Sequence, residues 1–185
     1  MANQTKQDLL GLYRQASEWT LDKVRGAKQA LDSDTPCDGW SVRNLMNHML
    51  ETQHYFVASA QGDKDAKPPS PTPPTGLLSD DPVADFTRTR QQTIDTFSEE
   101  GVIDRTGPSL GIAFADQLLH GWDLAKATGQ DPTMPDGLAE AAYRTIHGKF
   151  TEEQRKGVFD PEIEVGDDAS PQDRLLAYTG RRPAG

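Results

Sequence analysis

The sequence predicts an all-α protein: a four-helix bundle with one long crossover loop and a short helical C-terminal extension. Apolar residues recur at intervals of three and four over several long segments, which is the periodicity of amphipathic helices. Alternating patterns typical of strands are scarce, since only the segment GVFDPEIEVG alternates briefly. We therefore expect residues 1–130 to form the bundle and residues 131–185 to form an extension that packs on the same domain.

The first two helices are indicated by apolar periodicity and by the turn between them. The first is predicted from Gln4 to Leu31, where no proline interrupts the pattern. The segment DSDTPCDGW then collects residues that end helices and form turns. Ser41 is a suitable N-cap for a second helix over residues 42–60. The residues expected on its buried side are Val42, Leu45, Met46, Met49, Leu50 and Phe56.

A proline-rich stretch separates the second helix from the third. In GDKDAKPPSPTPPTG, five prolines fall within seven residues, which excludes a helix or a central strand. The stretch could link two domains, but the helical patterns on both sides favour a long crossover within one domain. The third helix is predicted from about Val83 to Ser98, and the fourth over about residues 110–128, with Gly129 ending it.

Two shorter helices are predicted in the C-terminal extension. The segment DGLAEAAYRTIHGKF has helical periodicity, and SPQDRLLAYTG contains a sixth helix. Ser170 is the N-cap of that last helix and Gly180 lies beyond its end. Three arginines of this tail could meet an anionic cofactor or lie exposed to solvent: Arg174, Arg181 and Arg182.

Composition excludes several classes of protein. The 185-residue chain is long enough to bury a core, and its formal net charge of -10 argues against nucleic-acid and anionic-membrane partners. One cysteine, Cys37, cannot form an intramolecular disulfide, so nothing indicates an oxidising compartment. No segment has the length and apolarity of a signal peptide or a membrane span. We expect a soluble, cytoplasmic protein.

The fourth helix carries three polar residues on a surface that is otherwise apolar. Asp116, His120 and Asp123 are spaced by four and three residues, which places them on one helical face. The opposite face carries Phe114 and Leu118, so the helix should be largely buried. Buried carboxylates and imidazoles need partners, because an isolated charge in a low-dielectric interior is costly. A hydrogen-bonding network or a metal ion would each provide them.

The second helix offers a third participant for such a site. His48 lies at the edge of its apolar face, and helical faces that meet in a bundle could bring it against Asp116 and His120. Two imidazoles and a carboxylate are a familiar ligand set for a divalent metal with a position open to water or substrate. Other interpretations stay open: His48 as a neutral core histidine, Asp116 with His120 as an ion pair, and Asp123 as a cap or a partner of Lys126.

The remaining histidines and the cysteine are weaker candidates. His54 and His147 fall on helical faces expected to be solvated, without a predicted partner. Cys37 lies in the turn before the second helix, where helix-terminal N–H groups could activate it as a nucleophile, and a small apolar filler explains it equally well. The sequence contains no phosphate-binding glycine loop, no cysteine pair for zinc and no Gly-x-Ser-x-Gly elbow.

Three segments of the sequence resemble one known family. The segment TPCDGWSVRNLMNHM resembles a signature of the DinB-like superfamily, in the actinobacterial branch related to mycothiol-dependent maleylpyruvate isomerase. DQLLHGWDLAKATGQ is similar to the second signature of that branch, and DDASPQDRLLAYTGRRP to its C-terminal end. The two signatures stand about 70 residues apart in the right order, and the resemblance covers nearly the whole chain.

The resemblance implies a DinB-like bundle that holds a divalent metal, zinc or nickel, through three side chains. By their positions in the two signatures, the ligands would be His48, Asp116 and His120. Relatives use the metal to activate a low-molecular-weight thiol such as mycothiol for transfer or isomerisation. The implied partners are therefore a thiol cofactor and a small-molecule substrate, and exposed apolar helix edges would allow a homodimer.

Two departures from the family pattern bear on function. Asp116 stands where the isomerase-like pattern has Glu, and a helical tail from about residue 135 replaces the second domain of the isomerase. The leading hypothesis is a metal-dependent transferase or isomerase that activates a thiol or water, in which Asp123 orients a metal ligand or accepts a proton. The alternatives are a non-catalytic metal-binding or small-molecule-binding bundle and a thiol-independent metal hydrolase.

Overall fold

Helices make up the regular secondary structure of the part of the chain that the structure describes. This computed structural model describes residues 2–183, with side chains from Leu9 onward. No strand occurs in that range, where Asp34 and Ser41 form an isolated bridge. The prediction of an all-α bundle is confirmed. The helices are α1 (Ala2–Ala27), α2 (Val42–Ala60), α3 (Pro82–Ser98), α4 (Val102–Thr106), α5 (Ser109–Ala127), α6 (Leu138–Ile146), α7 (Glu152–Arg155) and α8 (Pro171–Tyr178).

The four long helices α1, α2, α3 and α5 form the bundle, and their bounds follow the predicted ones closely. Helix α1 ends at Ala27 and not at Leu31, because the chain turns tightly there and the Ala30 N–H donates to the Ala27 carbonyl. Ser41 caps α2, as predicted, within a capping box. Gly129 follows the C-cap of α5 with a left-handed φ of 65°, which confirms the predicted end of that helix.

Three details of the second half differ from the prediction. The short helices α4 and α7 are about one turn long, so apolar periodicity could not reveal them. Helix α6 is shorter than the predicted fifth helix over residues 136–150. Gly137 precedes it with a φ of 78°, and Gly148 follows with a φ of 68°, so left-handed glycines bound it on both sides.

The core is built around α5, which is buried on nearly all sides, as its composition predicts. Helix α1 approaches it closely at Gly121, where a Cβ atom would lie 2.6 Å from both the Trp19 ring and Thr20 Oγ1. Side chains of α6 and α8 join the same hydrophobic cluster as those of α1, α2 and α5. Residues on both sides of the predicted boundary at 130 thus share one core, whereas the division itself stays a prediction.

The crossover loop between α2 and α3 is held against α2 by hydrogen bonds. The side-chain oxygen of Asn47 accepts from the backbone N–H groups of Leu77 and Leu78, at 2.7 and 3.0 Å. Nearer the start of the loop, the Ser70 N–H donates to Glu51 at 3.2 Å. The crossover loop is therefore anchored to α2, although most residues of the proline-rich stretch are exposed. Among the described residues, none of the helices combines the length and apolarity needed to cross a bilayer.

Candidate metal centre

The three predicted ligands meet where α2 and α5 pack against each other. His48 projects from α2, and Asp116 and His120 project from successive turns of α5. One ligand-type atom from each residue lies within 4.8 Å of the other two. His120 Nε2 is 3.4 Å from Asp116 Oδ1, and the rings of His48 and His120 meet edge to face with centroids 5.1 Å apart. The juxtaposition expected from helical spacing is thus present.

Two polar atoms of this group have no hydrogen-bond partner among the described residues. They are His48 Nδ1 and Asp116 Oδ2, and both atoms are buried. A buried polar atom without a partner costs about 1–3 kcal/mol, which is why such atoms are rare in folded proteins. Coordination of a metal ion would satisfy both atoms. The donor set of two imidazoles and one carboxylate therefore fits the divalent metal that the resemblance implies.

Asp123 fixes the orientation of the His120 ring from the side opposite Asp116. Because a carboxylate only accepts, the 2.9 Å contact means that His120 Nδ1–H donates to Asp123 Oδ2. The ring then presents Nε2 toward Asp116 and His48. A carboxylate bonded to the outer nitrogen of a ligating histidine is a recurrent arrangement at metal sites. Asp123 is completely buried, so this contact is shielded from water.

Arg181 also belongs to this site, through a contact with Asp123 that the sequence did not reveal. Its guanidinium donates to both oxygens of Asp123, from Nε at 2.9 Å and from Nη2 at 2.7 Å. Its side chain is only 15% exposed, so the solvent-exposed interpretation does not hold for Arg181. The alternative pairing of Asp123 with Lys126 does not occur, because Lys126 lies over the Trp122 ring. Arg174 and Arg182 are exposed, in line with the solvent-exposed interpretation.

The electrostatics of the group follow from burial and from these contacts. Burial, and then the neighbouring His120, lower the pKa of His48 to about 4, so its imidazole is neutral near neutral pH. Burial alone would lower the pKa of His120, but Asp116 and the hydrogen bonds to Asp116 and Asp123 raise it well above its ordinary value. Burial alone would raise the pKa of Asp123, but Arg181 and His120 hold it well below its usual range.

Cys37 lies at the margin of the site. Its Sγ is 3.7 Å from Asp123 Oδ2, and Cys37, His120 and Asp123 form a second group of ligand-type atoms. A cation there would compete with Arg181, which already occupies both oxygens of Asp123. We therefore assign this second group to hydrogen bonding. Cys37 also packs against the smaller core cluster, as an apolar filler would.

The other two histidines lie away from the site. Both His54 and His147 are exposed, as expected for solvated helical faces. Each nevertheless has a neighbour that the sequence did not reveal: His54 Nε2 is 3.5 Å from Thr89 Oγ1, and the His147 ring stacks on Tyr143 with centroids 4.6 Å apart.

At the candidate metal centre itself, an aromatic ring covers His48. The Trp40 ring, in the turn before α2, meets the His48 ring edge to face with centroids 5.1 Å apart.

A helical bundle with this group of side chains matches one family over most of its length. The chain belongs to the family described as the mycothiol maleylpyruvate isomerase N-terminal domain, which matches residues 13–125. The DinB-like resemblance is thereby confirmed. The matched range contains His48, Asp116, His120 and Asp123, whereas Arg181 lies beyond it.

Two relatives in Mycobacterium tuberculosis align with almost the whole chain. They are the uncharacterized proteins MT0763 of strain CDC 1551 / Oshkosh and Rv0738 of strain ATCC 25618 / H37Rv. Each is 28% identical over 194 residues, and the alignment covers 98% of this chain and 96% of the relative. No solved structure matches the chain significantly.

Proposed function

We propose that the protein binds a divalent metal, zinc or nickel, through His48, Asp116 and His120, and that it activates a low-molecular-weight thiol for transfer to, or isomerisation of, a small molecule. The supporting observation is the pair of buried, unpartnered atoms, His48 Nδ1 and Asp116 Oδ2, beside His120. A bound divalent ion would lower the pKa of a thiol or water in an open coordination position and so supply the nucleophile. The family description, which names mycothiol, favours the thiol.

The charges around the site favour an anionic fourth ligand. Asp116 and Asp123 are carboxylates, Arg181 is a guanidinium, and both histidines are neutral when they coordinate. A divalent ion would leave this group with one net positive charge. A thiolate or a hydroxide would neutralise it, and a buried group of charges is less costly when its charges are balanced.

The protein residues have separate roles in this proposal. His48, neutral near neutral pH, and Asp116 would be ligands, and Asp123 would hold His120 in the tautomer that presents Nε2. Asp123 would serve in orientation and not in proton transfer, because His120 and Arg181 already occupy its oxygens.

A non-catalytic metal-binding bundle is the second candidate. The observation that favours it is the absence, within residues 9–183, of another acidic or imidazole side chain placed with the three ligands and free to move a proton. A thiol-transfer assay with mycothiol and a panel of electrophiles separates the candidates. Metal-dependent turnover supports the enzyme, and bound metal without turnover supports the binding protein.

Metal content is the first test of the site. Protein purified without added metal should contain close to one zinc or nickel ion per chain, and a His48→Ala and His120→Ala double variant should contain none. The matched control is a His54→Ala and His147→Ala double variant, which also removes two histidines but leaves the site intact. Equal metal content in all three proteins would refute the site.

A further inference from the structure

Arg181 connects the C-terminal tail to the metal centre across 58 positions of sequence. It forms one hydrogen bond to each oxygen of a carboxylate that is completely buried. Such bidentate pairs fix both the position and the rotation of the carboxylate, which a single hydrogen bond does not. The same carboxylate accepts from His120 Nδ1. Arg181, Asp123 and His120 therefore form one continuous chain of contacts that ends at a proposed metal ligand.

The end of α8 is shaped to direct Arg181 into this position. The Arg181 N–H donates to the Leu176 carbonyl at 2.8 Å and the Gly180 N–H donates to the Ala177 carbonyl at 3.0 Å, which is the bonding pattern of a Schellman motif. Gly180 has a φ of 77°, and a Cβ atom there would collide with the Cβ of Asp160. Only glycine fits this turn without rearrangement.

Helix α8 is itself held firmly in the fold. Its residues from Leu175 to Tyr178 are buried, and Leu175, Leu176 and Tyr178 belong to the main core cluster. Outside the helix, the Arg155 guanidinium donates to the Tyr178 carbonyl at 2.7 Å and the Ile163 N–H donates to the Ala177 carbonyl at 2.9 Å. The start of the tail segment that bears Arg181 is therefore fixed relative to the bundle.

We infer that Arg181 is a positioning residue of the metal centre: it immobilises Asp123, which in turn fixes the His120 ring with Nε2 toward the metal position. This inference rests on the proposed function, since it needs a metal at His48, Asp116 and His120. It goes beyond the family assignment, because the matched range ends at residue 125. It also makes the C-terminal extension a part of the site.

Zinc affinity of the whole 185-residue chain tests the inference, measured by competition with a chelator of known affinity. Outer contacts of a ligating histidine typically change metal affinity by roughly 10- to 100-fold. Arg181→Ala should therefore weaken zinc binding by about tenfold or more. Arg181→Lys, which keeps the charge but not the two hydrogen bonds, should recover part of this loss. Arg182→Ala is the matched control, because Arg182 is the exposed neighbour, and it should bind zinc like the wild type.

A double variant separates positioning from a general effect on folding. If Arg181 acts through Asp123, adding Arg181→Ala to Asp123→Asn should weaken zinc binding no further than Asp123→Asn alone. Visible absorption of the Co²⁺-loaded protein provides a second readout, since the bands should shift in Arg181→Ala and Arg181→Lys but not in Arg182→Ala. If Arg181→Ala does not fold, Arg181→Lys and its Co²⁺ spectrum decide the question.

The outcomes distinguish this inference from the proposed function. If the wild type binds neither zinc nor nickel, both fail. If the wild type binds zinc and loses it in the His48→Ala and His120→Ala variant, but Arg181→Ala and Arg181→Lys bind it as tightly as the wild type, the positioning role alone is overturned. Fully additive losses in the double variant would overturn it as well.

Discussion

His120 donates its Nδ1 hydrogen to Asp123 across 2.9 Å, and this contact leaves Nε2 as the ring nitrogen that can bind a metal. On the other side, Nε2 lies 3.4 Å from Asp116. The two carboxylates therefore bracket one ring, with Asp123 completely buried and Asp116 partly exposed. Asp123 orients the ring, and Asp116 would bind the metal together with His120.

Breaking the buried ion pair should reduce stability strongly. In Asp123→Asn, Arg181 would stay buried without an anionic partner, and removal of one partner of a buried pair typically costs about 3–5 kcal/mol. Chemical denaturation of the metal-free protein measures this loss. Glu140→Gln, which breaks an exposed pair with Arg144, is the control and should cost at most about 1 kcal/mol. If the two variants lose similar free energies of unfolding, the buried Asp123–Arg181 pair contributes no more to stability than an exposed ion pair, and the prediction is wrong.

Removing the carboxylate ligand should reduce metal affinity. Asp116→Asn loses the negative charge beside His120, and the Oδ2 atom of this carboxylate has no hydrogen-bond partner in the described protein, so it is available to a metal. Zinc affinity should fall by at least the roughly 10- to 100-fold expected for a contact outside the coordination sphere. Asp116→Glu, which restores the residue of the family pattern, should retain zinc. Undiminished zinc affinity in Asp116→Asn would show that the carboxylate is not a ligand.

Metal affinity should rise with pH because His120 must lose a proton to coordinate. The pKa of His120 is raised well above its ordinary value, so in the metal-free protein the ring carries a proton that competes with the metal. His48, with a pKa of about 4, is already neutral above about pH 5 and contributes little to this dependence. Zinc binding near pH 7 should release at least one proton, measured by calorimetry in buffers of different ionisation enthalpy. Binding without proton release would contradict this assignment.

Gly180→Ala should weaken zinc binding as well as the fold. The left-handed φ of 77° strains any residue with a side chain by about 1–3 kcal/mol, and the new Cβ would collide with Asp160. Relief of that collision would move Arg181. Gly148→Ala is the control, because Gly148 has a φ of 68° and a Cβ atom added there would meet no other atom within 4 Å. It should lose stability but keep its zinc affinity. If the two variants bind zinc equally tightly, the conformation of the Gly180 turn does not influence the metal site and the prediction is wrong.

Local sequence signals predicted the bundle and the grouping of His48, Asp116 and His120. The periodicity of α2 and α5, the Ser41 cap and the Gly129 stop are encoded within a few residues, and the four-residue step from Asp116 to His120 places both on one face. Arg181 could not be found in this way, because its contact with Asp123 depends on how α8 packs on the core. The Gly180 in TGRR was the available signal, since it indicated a turn but not its direction.

The most direct test of the metal centre is anomalous scattering from crystals grown with zinc or nickel. Diffraction data collected on both sides of the metal absorption edge would locate the ion independently of activity. We expect one strong anomalous peak within coordination distance of His48, Asp116 and His120, with Asp123 on the far side of the His120 ring. A fully loaded crystal with no peak between those three residues would contradict the account.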